Sequence, residues 1–331
     1  METLYLIDNG LYLKRRSQRI VVKKDGKNLR EYHIHGLKRI VVFGNNQLTT
    51  ELLRTLAAKG VDVAFLSGRS RYKFRLVSEN SKNVYLRVAQ NDRYRNDTFR
   101  LELARTLVRA KIRNQRALLV RYRRYRKDDG LHAVLARLKQ LGTDAQSGAD
   151  LDKTRGYEGI ASRMYFAAFG LLLKHGFVFE KRLYRPSPDP VNAMLSFGYT
   201  LVTNELLGLL EAHGFDVHIG FLHGLRYGRA SLATDLVEEF RAPLVDRLVL
   251  YLVNKGVVRV EHFHLSPKGE MRMKERTLKN FLKNYERFIT APFKEPGAER
   301  KTDFRSIFRR QVRRMEATLL DGRNYKPYAF Y

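Results

Sequence analysis

Residues 220–241, G-F-L-H-G-L-R-Y-G-R-A-S-L-A-T-D-L-V-E-E-F-R, gather one imidazole and three carboxylates into a short stretch. A glycine-bearing loop presents His223, and a helix expected from near Ser231 to about Asn254 carries Asp235, Glu238 and Glu239. Hard and borderline divalent cations take carboxylate oxygen and neutral imidazole, so these residue types suit a nitrogen/oxygen cation site. Leu232, Leu236, Phe240 and Leu244 recur every four residues and form the expected buried stripe, with the carboxylates flanking the core and Asp235 and Glu238 on one face. A plainer reading stays open, because acidic residues early in a helix complement its dipole and a loop histidine is often only surface. Helical geometry does not choose between Glu238 and Glu239.

Two further stretches carry polar groups in unusual settings. In T-R-G-Y-E-G-I-A-S-R-M-Y-F, Glu158 falls in the expected first turn of a helix reaching about Lys174, beside Gly159, Ala161 and Ser162. Small neighbours let another backbone approach the carboxylate; alone, Glu158 reads equally well as a capping glutamate. In Y-R-P-S-P-D-P-V-N-A-M-L-S-F-G-Y-T-L, Pro190 fits the first turn of a helix expected over Val191–Ala212. Asn192 and Ser196, four residues apart, are expected to reach the Glu158 helix, and Arg185 is either an anion contact or a surface arginine.

The elements that must position these groups divide the chain. Up to about residue 77, short apolar runs alternate with turn dipeptides such as Asn9-Gly10 and Asp25-Gly26, predicting a strand-rich unit with one helix over Leu48–Lys59. Its His33 and His35 read as an exposed strand pair. Long helical periodicity then takes over, and the boundary is placed so that residues 1–88 form the first domain and 89–331 the second. The class is α+β, a small N-terminal β-rich domain followed by a larger α-helical one. One long basic helix is expected over Asp92–Arg126, ending R-Y-R-R-Y-R, where Arg121, Arg123, Arg124 and Arg126 interleave with tyrosine. That mixture suits phosphate contacts and stacking, although a solvated basic face has the same composition. A helix over Leu131–Leu141 stopping at Gly142, a hairpin around S-P-K-G, two basic helices and an aromatic tail expected to dock complete the chain.

The charge balance selects the partner. Lys and Arg number 63 against 34 Asp and Glu, a formal net charge of +29, which points to a polyanion, nucleic acid first and an anionic membrane second. No apolar run approaches the roughly 20 residues of a membrane span, and the N-terminus, interrupted by Asp8, lacks a basic leader. With no cysteine there are no disulfides or thiolate zinc sites, and the expected location is the cytoplasm or nucleoid.

The ordered set G-Y-E-G-I-A-S-R-M-Y-F, R-P-S-P-D-P-V-N-A-M-L-S-F-G-Y, then L-H-G with G-R-A-S-L-A-T-D-L-V-E-E-F-R closely resembles the CRISPR-associated integrase family, the core endonuclease of spacer acquisition, over nearly the whole chain. The resemblance implies that Glu158, His223 and Glu238 bind a divalent metal, Mg²⁺ or Mn²⁺. Asp235 would act as an auxiliary catalytic group, and Asn192 would order the site. It implies a sandwich-like N-terminal domain that mediates homodimerisation, and a small ferredoxin-like CRISPR-associated partner bridging two integrase dimers. The implied reaction is attack of a prespacer DNA 3′-hydroxyl on a phosphodiester at a CRISPR repeat boundary. A stand-alone metal-dependent nuclease would share the site, and an architectural nucleic-acid-binding protein would share the charge.

Overall fold

A computed structural model describes residues 2–68, 71–77, 83–123, 129–183 and 187–331, so the expectations for Arg124, Arg126 and Arg185 lie outside the described residues. The chain forms two compact units, Met1–Lys82 and Asn83–Tyr331. The division falls earlier than residue 88 because a helix of the second unit already begins at Val84, where Asn83 accepts a hydrogen bond from Leu86 N (3.2 Å).

In the first unit the strands are β1 (Thr3–Leu6), β2 (Leu11–Arg16), β3 (Arg19–Lys24), β4 (Lys27–His33), β5 (Arg39–Phe43), β6 (Gln47–Leu48), β7 (Asp62–Leu66) and β8 (Tyr72–Leu76). A single helix, α1 (Thr50–Ala58), lies between β6 and β7. They build two four-stranded sheets, β1-β5-β7-β8 and β4-β3-β2-β6. β2, β3 and β4 form the expected meander, and Asp25 and Gly26 adopt the positive φ that a tight hairpin turn needs. Asn9-Gly10 does not make a hairpin: β1 pairs in parallel with β5, so this dipeptide hands the chain from one sheet to the other. Leu4, Leu13, Ile20, Ile40, Leu52 and Val63, drawn from both sheets and α1, share one buried core.

The second unit holds α2 (Val84–Arg95), α3 (Asp97–Arg123), α4 (Asp129–Gln146), α5 (Leu151–Leu171), α6 (Pro190–His213), α7 (Ser231–Val237), α8 (Arg247–Asn254), α9 (Glu275–Thr290) and α10 (Phe304–Asp321). Two small hairpins, β9 (Phe263–Leu265) with β10 (Met271–Met273) and β11 (Phe293–Lys294) with β12 (Lys301–Thr302), flank α9. The single helix expected over Asp92–Arg126 is two. Asn96 has extended ψ, and its side chain accepts from Phe99 N (2.9 Å), starting a new helix. The opposite correction applies at Gly142, which α4 passes without stopping. Buried Leu138, Leu141 and Ala145 outweigh the roughly 1 kcal/mol that a mid-helix glycine costs. By length and composition α6 could span a membrane, against the expectation of no such run, but most of it is buried in the unit's core.

The helix expected over Ser231–Asn254 is interrupted where it matters. After α7 the backbone tightens into i−3 hydrogen bonds at Glu238, Glu239 and Phe240, then widens into a π-helical segment over Arg241–Asp246 before α8. Pro243 has no N–H to give to the Glu239 carbonyl four residues back, and Asn114 Nδ2 on α3 donates to that carbonyl instead, at 2.9 Å. Asn114 also donates to Tyr328 O (3.0 Å) and accepts from Phe330 N (3.0 Å), tying the aromatic tail to the same spot. Glu239 completes the clamp by accepting from Tyr328 N (2.6 Å), Gln311 Nε2 (2.8 Å) and the Tyr325 hydroxyl.

Asp246, at the end of the π-helical segment, is fully buried and accepts from the Tyr165 hydroxyl of α5 (2.6 Å) and the Tyr199 hydroxyl of α6 (2.5 Å). Burial pushes its carboxyl up to about 6, against the pull of the two hydroxyl donors. A raised acid keeps its proton in the fold when the unfolded chain has lost it, so its contribution is complete below about pH 4 and disappears as pH rises to about 6. Denaturant unfolding between pH 4 and pH 7 is expected to show wild type losing on the order of 2–3 kcal/mol relative to Asp246→Asn, which has no such proton. Parallel pH profiles for the two proteins would refute this.

Candidate active site

Glu158 stands two turns inside α5, not in its first turn. The helix starts earlier, at Leu151, and is capped by Asp150, which accepts from Lys153 N (2.7 Å). Relieved of capping, the Glu158 carboxylate accepts from Ser162 Oγ one turn on (3.0 Å) and from the ammonium of Lys111. Lys111 reaches in from α3 and is itself buried; its Nζ lies 2.8 Å from Glu238 Oε2. Glu238, just past α7 and 2% exposed, also meets Arg241 Nη2 at 3.1 Å and His223 Nε2 at 3.9 Å through Oε1.

The loop that presents His223 is folded around Asp235. One carboxylate oxygen accepts from Phe221 N (2.6 Å) and Leu222 N (3.0 Å), the other from His223 N (3.0 Å) and His223 Nδ1 (2.7 Å). A carboxylate there can only accept, so Nδ1 donates the proton of this bond and Nε2 is the ring nitrogen left on the side of Glu238. Gly220 is required by close approach, since a Cβ would fall 2.7 Å from the backbone of Ser231, and Gly224 by its φ of +65° directly after the histidine. Arg155 holds the loop from α5 through Leu222 O (2.6 and 3.0 Å), and Arg229 donates to His223 O.

Asp235, Glu238 and Glu239 are all within the core, which corrects the expectation that they flank it. The Leu232, Leu236, Phe240 and Leu244 stripe is buried as expected; the carboxylates share that interior because each is met by donors or cations. Burial alone would push Glu238 up, but Arg241, then Lys111 and His223, pull its carboxyl down to about 2. Burial also opposes ionisation of Glu158, and Lys111 outweighs it, so that carboxyl too is held below its ordinary value. Lys111 responds in kind: burial works against its charge, and Glu238 and Glu158 raise it. Glu239 faces away from this cluster, toward the tail, so the structure separates the two adjacent glutamates that spacing could not.

Asn192 does not reach the Glu158 helix as expected. It is fully buried at the start of α6, where Oδ1 accepts from Arg182 Nη1 (2.8 Å) and Leu183 N (2.9 Å) and Nδ2 donates to Lys181 O (3.0 Å). Ser196 likewise accepts from Arg182 (3.0 Å). Arg182 and Arg241 both stack on the Tyr199 ring, at 5.4 and 4.8 Å, so that pair of arginines links Asn192 to Glu238. Arg121 and Arg123 lie exposed in the last turn of α3.

Lys111 and Arg241 are the members of this cluster that sequence reasoning missed. Arg241 is one of many arginines, but Lys111 left a trace: it lies four residues after Leu107 and seven before Leu118, a lysine on the apolar stripe of α3. Among the described residues no three His, Asp or Glu side chains already converge as metal ligands, since the Lys111 ammonium stands between the two carboxylates. The donor chemistry nevertheless suits a divalent cation: two anionic carboxylates and an imidazole fixed through its other nitrogen. Glu238 Oε2 is buried and lacks a hydrogen bond of ordinary geometry even with Nζ beside it.

The family described as CRISPR associated protein Cas1 matches residues 4–287. A CRISPR-associated endonuclease Cas1 of Thermus thermophilus is 35% identical over 329 residues, covering 98% of this chain and 96% of its own. A casposase bound to integration product shares the fold with a TM-score of 0.83 at 23% identity, covering 98% of this chain and 92% of the other. A Cas6-RT-Cas1–Cas2 complex superposes with a TM-score of 0.81 at 23% identity over 99% of this chain, which corresponds to 36% of that longer one. By the extent of the family match and the full-length identity to a curated relative, the chain belongs to the CRISPR-associated Cas1 family.

Proposed function

We propose that this protein joins DNA strands by metal-dependent transesterification, inserting prespacer DNA into a CRISPR array, with Glu158, His223 and Glu238 holding Mg²⁺ or Mn²⁺. The observation that carries the reading is a buried carboxylate, Glu238, and a half-buried one, Glu158, that share one cationic neighbour, Lys111, beside an imidazole nitrogen directed at Glu238. In the reaction a 3′-hydroxyl oxygen forms a bond to phosphorus as the phosphodiester bond to the repeat strand breaks. The proton lost by the attacking hydroxyl is matched by one gained by the departing 3′-oxygen, and the number of phosphodiesters is unchanged. When bound, the cation would supply Lewis-acid polarisation of the scissile phosphate and offset the charge of the pentacoordinate transition state. With water in place of the 3′-hydroxyl, the same residues would support strand cleavage.

Each residue has a defined task in this reading. Asp235 fixes the His223 tautomer and the loop carrying it, which makes it a positioning residue. Glu158 and Glu238 remain ionised at neutral pH because of the cations around them. Lys111 neutralises the pair, and where Glu158 and Glu238 hold a cation its ammonium would be available to a phosphate oxygen. The exposed Arg121 and Arg123, with the rest of the excess positive charge, hold DNA through its backbone, giving weak sequence preference and steep salt dependence. A second copy of the chain and a small ferredoxin-like CRISPR-associated partner complete the assembly in this proposal. The casposase neighbour with its integration product and the neighbour containing Cas2 support it by shared fold.

A strand-transfer assay with a duplex bearing free 3′-hydroxyls and a supercoiled target is expected to yield joined product with Mg²⁺ or Mn²⁺ and none with EDTA. Glu158→Ala and His223→Ala should abolish that product, and wild-type joining by either variant would remove it from the ligand set. Lys111→Met tests the counter-charge without using activity. Because it removes the cation that Glu158 and Glu238 share and leaves Arg241 alone beside Glu238, its melting temperature in EDTA should fall below wild type, and Mn²⁺ should raise it by more than it raises wild type. An equal Mn²⁺ response in both proteins would show that Lys111 and the cation do not compete.

A further inference from the structure

A cavity of about 650 Å³ opens at the C-terminal end of α3, bounded also by the ends of α5 and α9 and by α8. Along α3 it begins ten residues from Lys111, roughly 15 Å at the rise of a helix. Among the described residues its charged lining is cationic, comprising Arg121, Lys174, Arg247, Lys255 and Arg287, with no aspartate or glutamate among them. None of these five side chains makes an ion pair with a carboxylate among the described residues.

Arg247 is the least satisfied of them. Its guanidinium stacks among Phe288 (5.1 Å), Phe330 (5.6 Å) and Phe304 (5.7 Å), and its buried Nε finds no acceptor. Burial and the neighbouring Arg121 both work against its charge. Elsewhere in this unit a comparably buried arginine is answered: Arg305 meets Glu205 and Glu286, and Arg241 meets Glu238. Arg287 stacks on Tyr251 at 4.9 Å, and that ring lies 5.1 Å from Phe288. Unpaired guanidinium forks beside aromatic rings provide charge for a phosphate and planar surfaces for a base. The volume falls in the range of pockets that take small ligands.

We propose that this cavity binds a nucleotide, with its phosphate among Arg121, Arg247 and Arg287 and its base against the Tyr251–Phe288 side. The ligand is either a free mononucleotide or an unpaired nucleotide at the end of a DNA strand, which share this chemistry. The site is distinct from the Glu158–His223–Glu238 cluster and does not depend on the reaction proposed for it.

Calorimetric titration of the full chain in EDTA separates the two readings, because no metal chemistry takes part. The probes are deoxyadenosine monophosphate, deoxyadenosine and inorganic phosphate. Deoxyadenosine monophosphate should bind, with deoxyadenosine weaker by about tenfold or more. Combining Arg287→Ala with Lys255→Ala, both exposed, should weaken the nucleotide by a similar factor with no change in melting temperature, and Tyr251→Leu should weaken the nucleotide more than inorganic phosphate. Unchanged nucleotide affinity in the double variant would overturn the proposal, as would an equal loss in Lys139→Ala, an exposed cation outside the cavity. Displacement of labelled nucleotide by a duplex with unpaired 3′ ends, but not by a blunt duplex, would identify a strand end as the ligand. Displacement by neither would identify the free nucleotide. Equal displacement by both duplexes would mean general phosphate attraction and overturn the site.

Discussion

Two carboxylates placed in a protein interior repel one another and lose their hydration, so they persist as anions only if cations are built in beside them. Glu158 and Glu238 meet this constraint through Lys111, which contacts both, and Arg241, which takes the remaining face of Glu238. The surrounding architecture follows from it. Lys111 must come from a helix packed between those carrying the acids, which is the position of α3. The far side of Arg241 must be satisfied by something other than a third acid, and it lies over the ring of Tyr199.

Bringing Glu238 into the cluster requires the backbone to leave α-helical geometry, and the fold accommodates that departure with polar groups from distant segments. Pro243 forces the opening, the Glu239 carbonyl is the acceptor left over, and Asn114 occupies it from α3 one turn beyond Lys111. The same asparagine and the Glu239 side chain capture the tail from Tyr325 to Phe330. The segment carrying Glu238, the helix carrying Lys111 and the end of the chain are therefore locked to one another by hydrogen bonds a few residues from the reactive groups. Asp246 secures the other end of the π-helical segment to α5 and α6.

Most elements were legible because their periods and punctuation were local. The β2–β3–β4 meander followed from its turn residues, and the Leu232–Leu244 stripe from its spacing. What sequence reading missed depended on tertiary context. Asn9-Gly10 has the residues of a hairpin turn, but the strand after it found its partners in another sheet. Gly142 has the residue of a helix stop, but burial against α3 carried the helix through. Glu158, His223, Asp235 and Glu238 could be chosen by residue type and motif, whereas the burial of Glu238 could not, because the cations that permit it come from α3 and from an arginine with no distinguishing spacing. Lys111 alone among the basic residues of α3 interrupts an apolar stripe, and that single irregularity was the legible sign of an interior charge.

Glu238 and Glu239 show how little residue type decides by itself. They are adjacent, nearly equally buried and chemically identical, yet one carboxyl is held near 2 and the other is pushed up to about 7. Glu238 is surrounded by full positive charges, which favour only the ionised form. Glu239 is met by the Tyr325 hydroxyl, the Gln311 amide and the Tyr328 backbone N–H, neutral donors that lower its carboxyl but do not overcome the cost of burial. Charge in the partner, more than the number of hydrogen bonds, thus separates a carboxylate fit to meet a cation from one that fastens a tail. The helix break between α7 and the π-helical segment turns the two side chains toward those different partners, so an irregularity in backbone geometry assigns their chemistry.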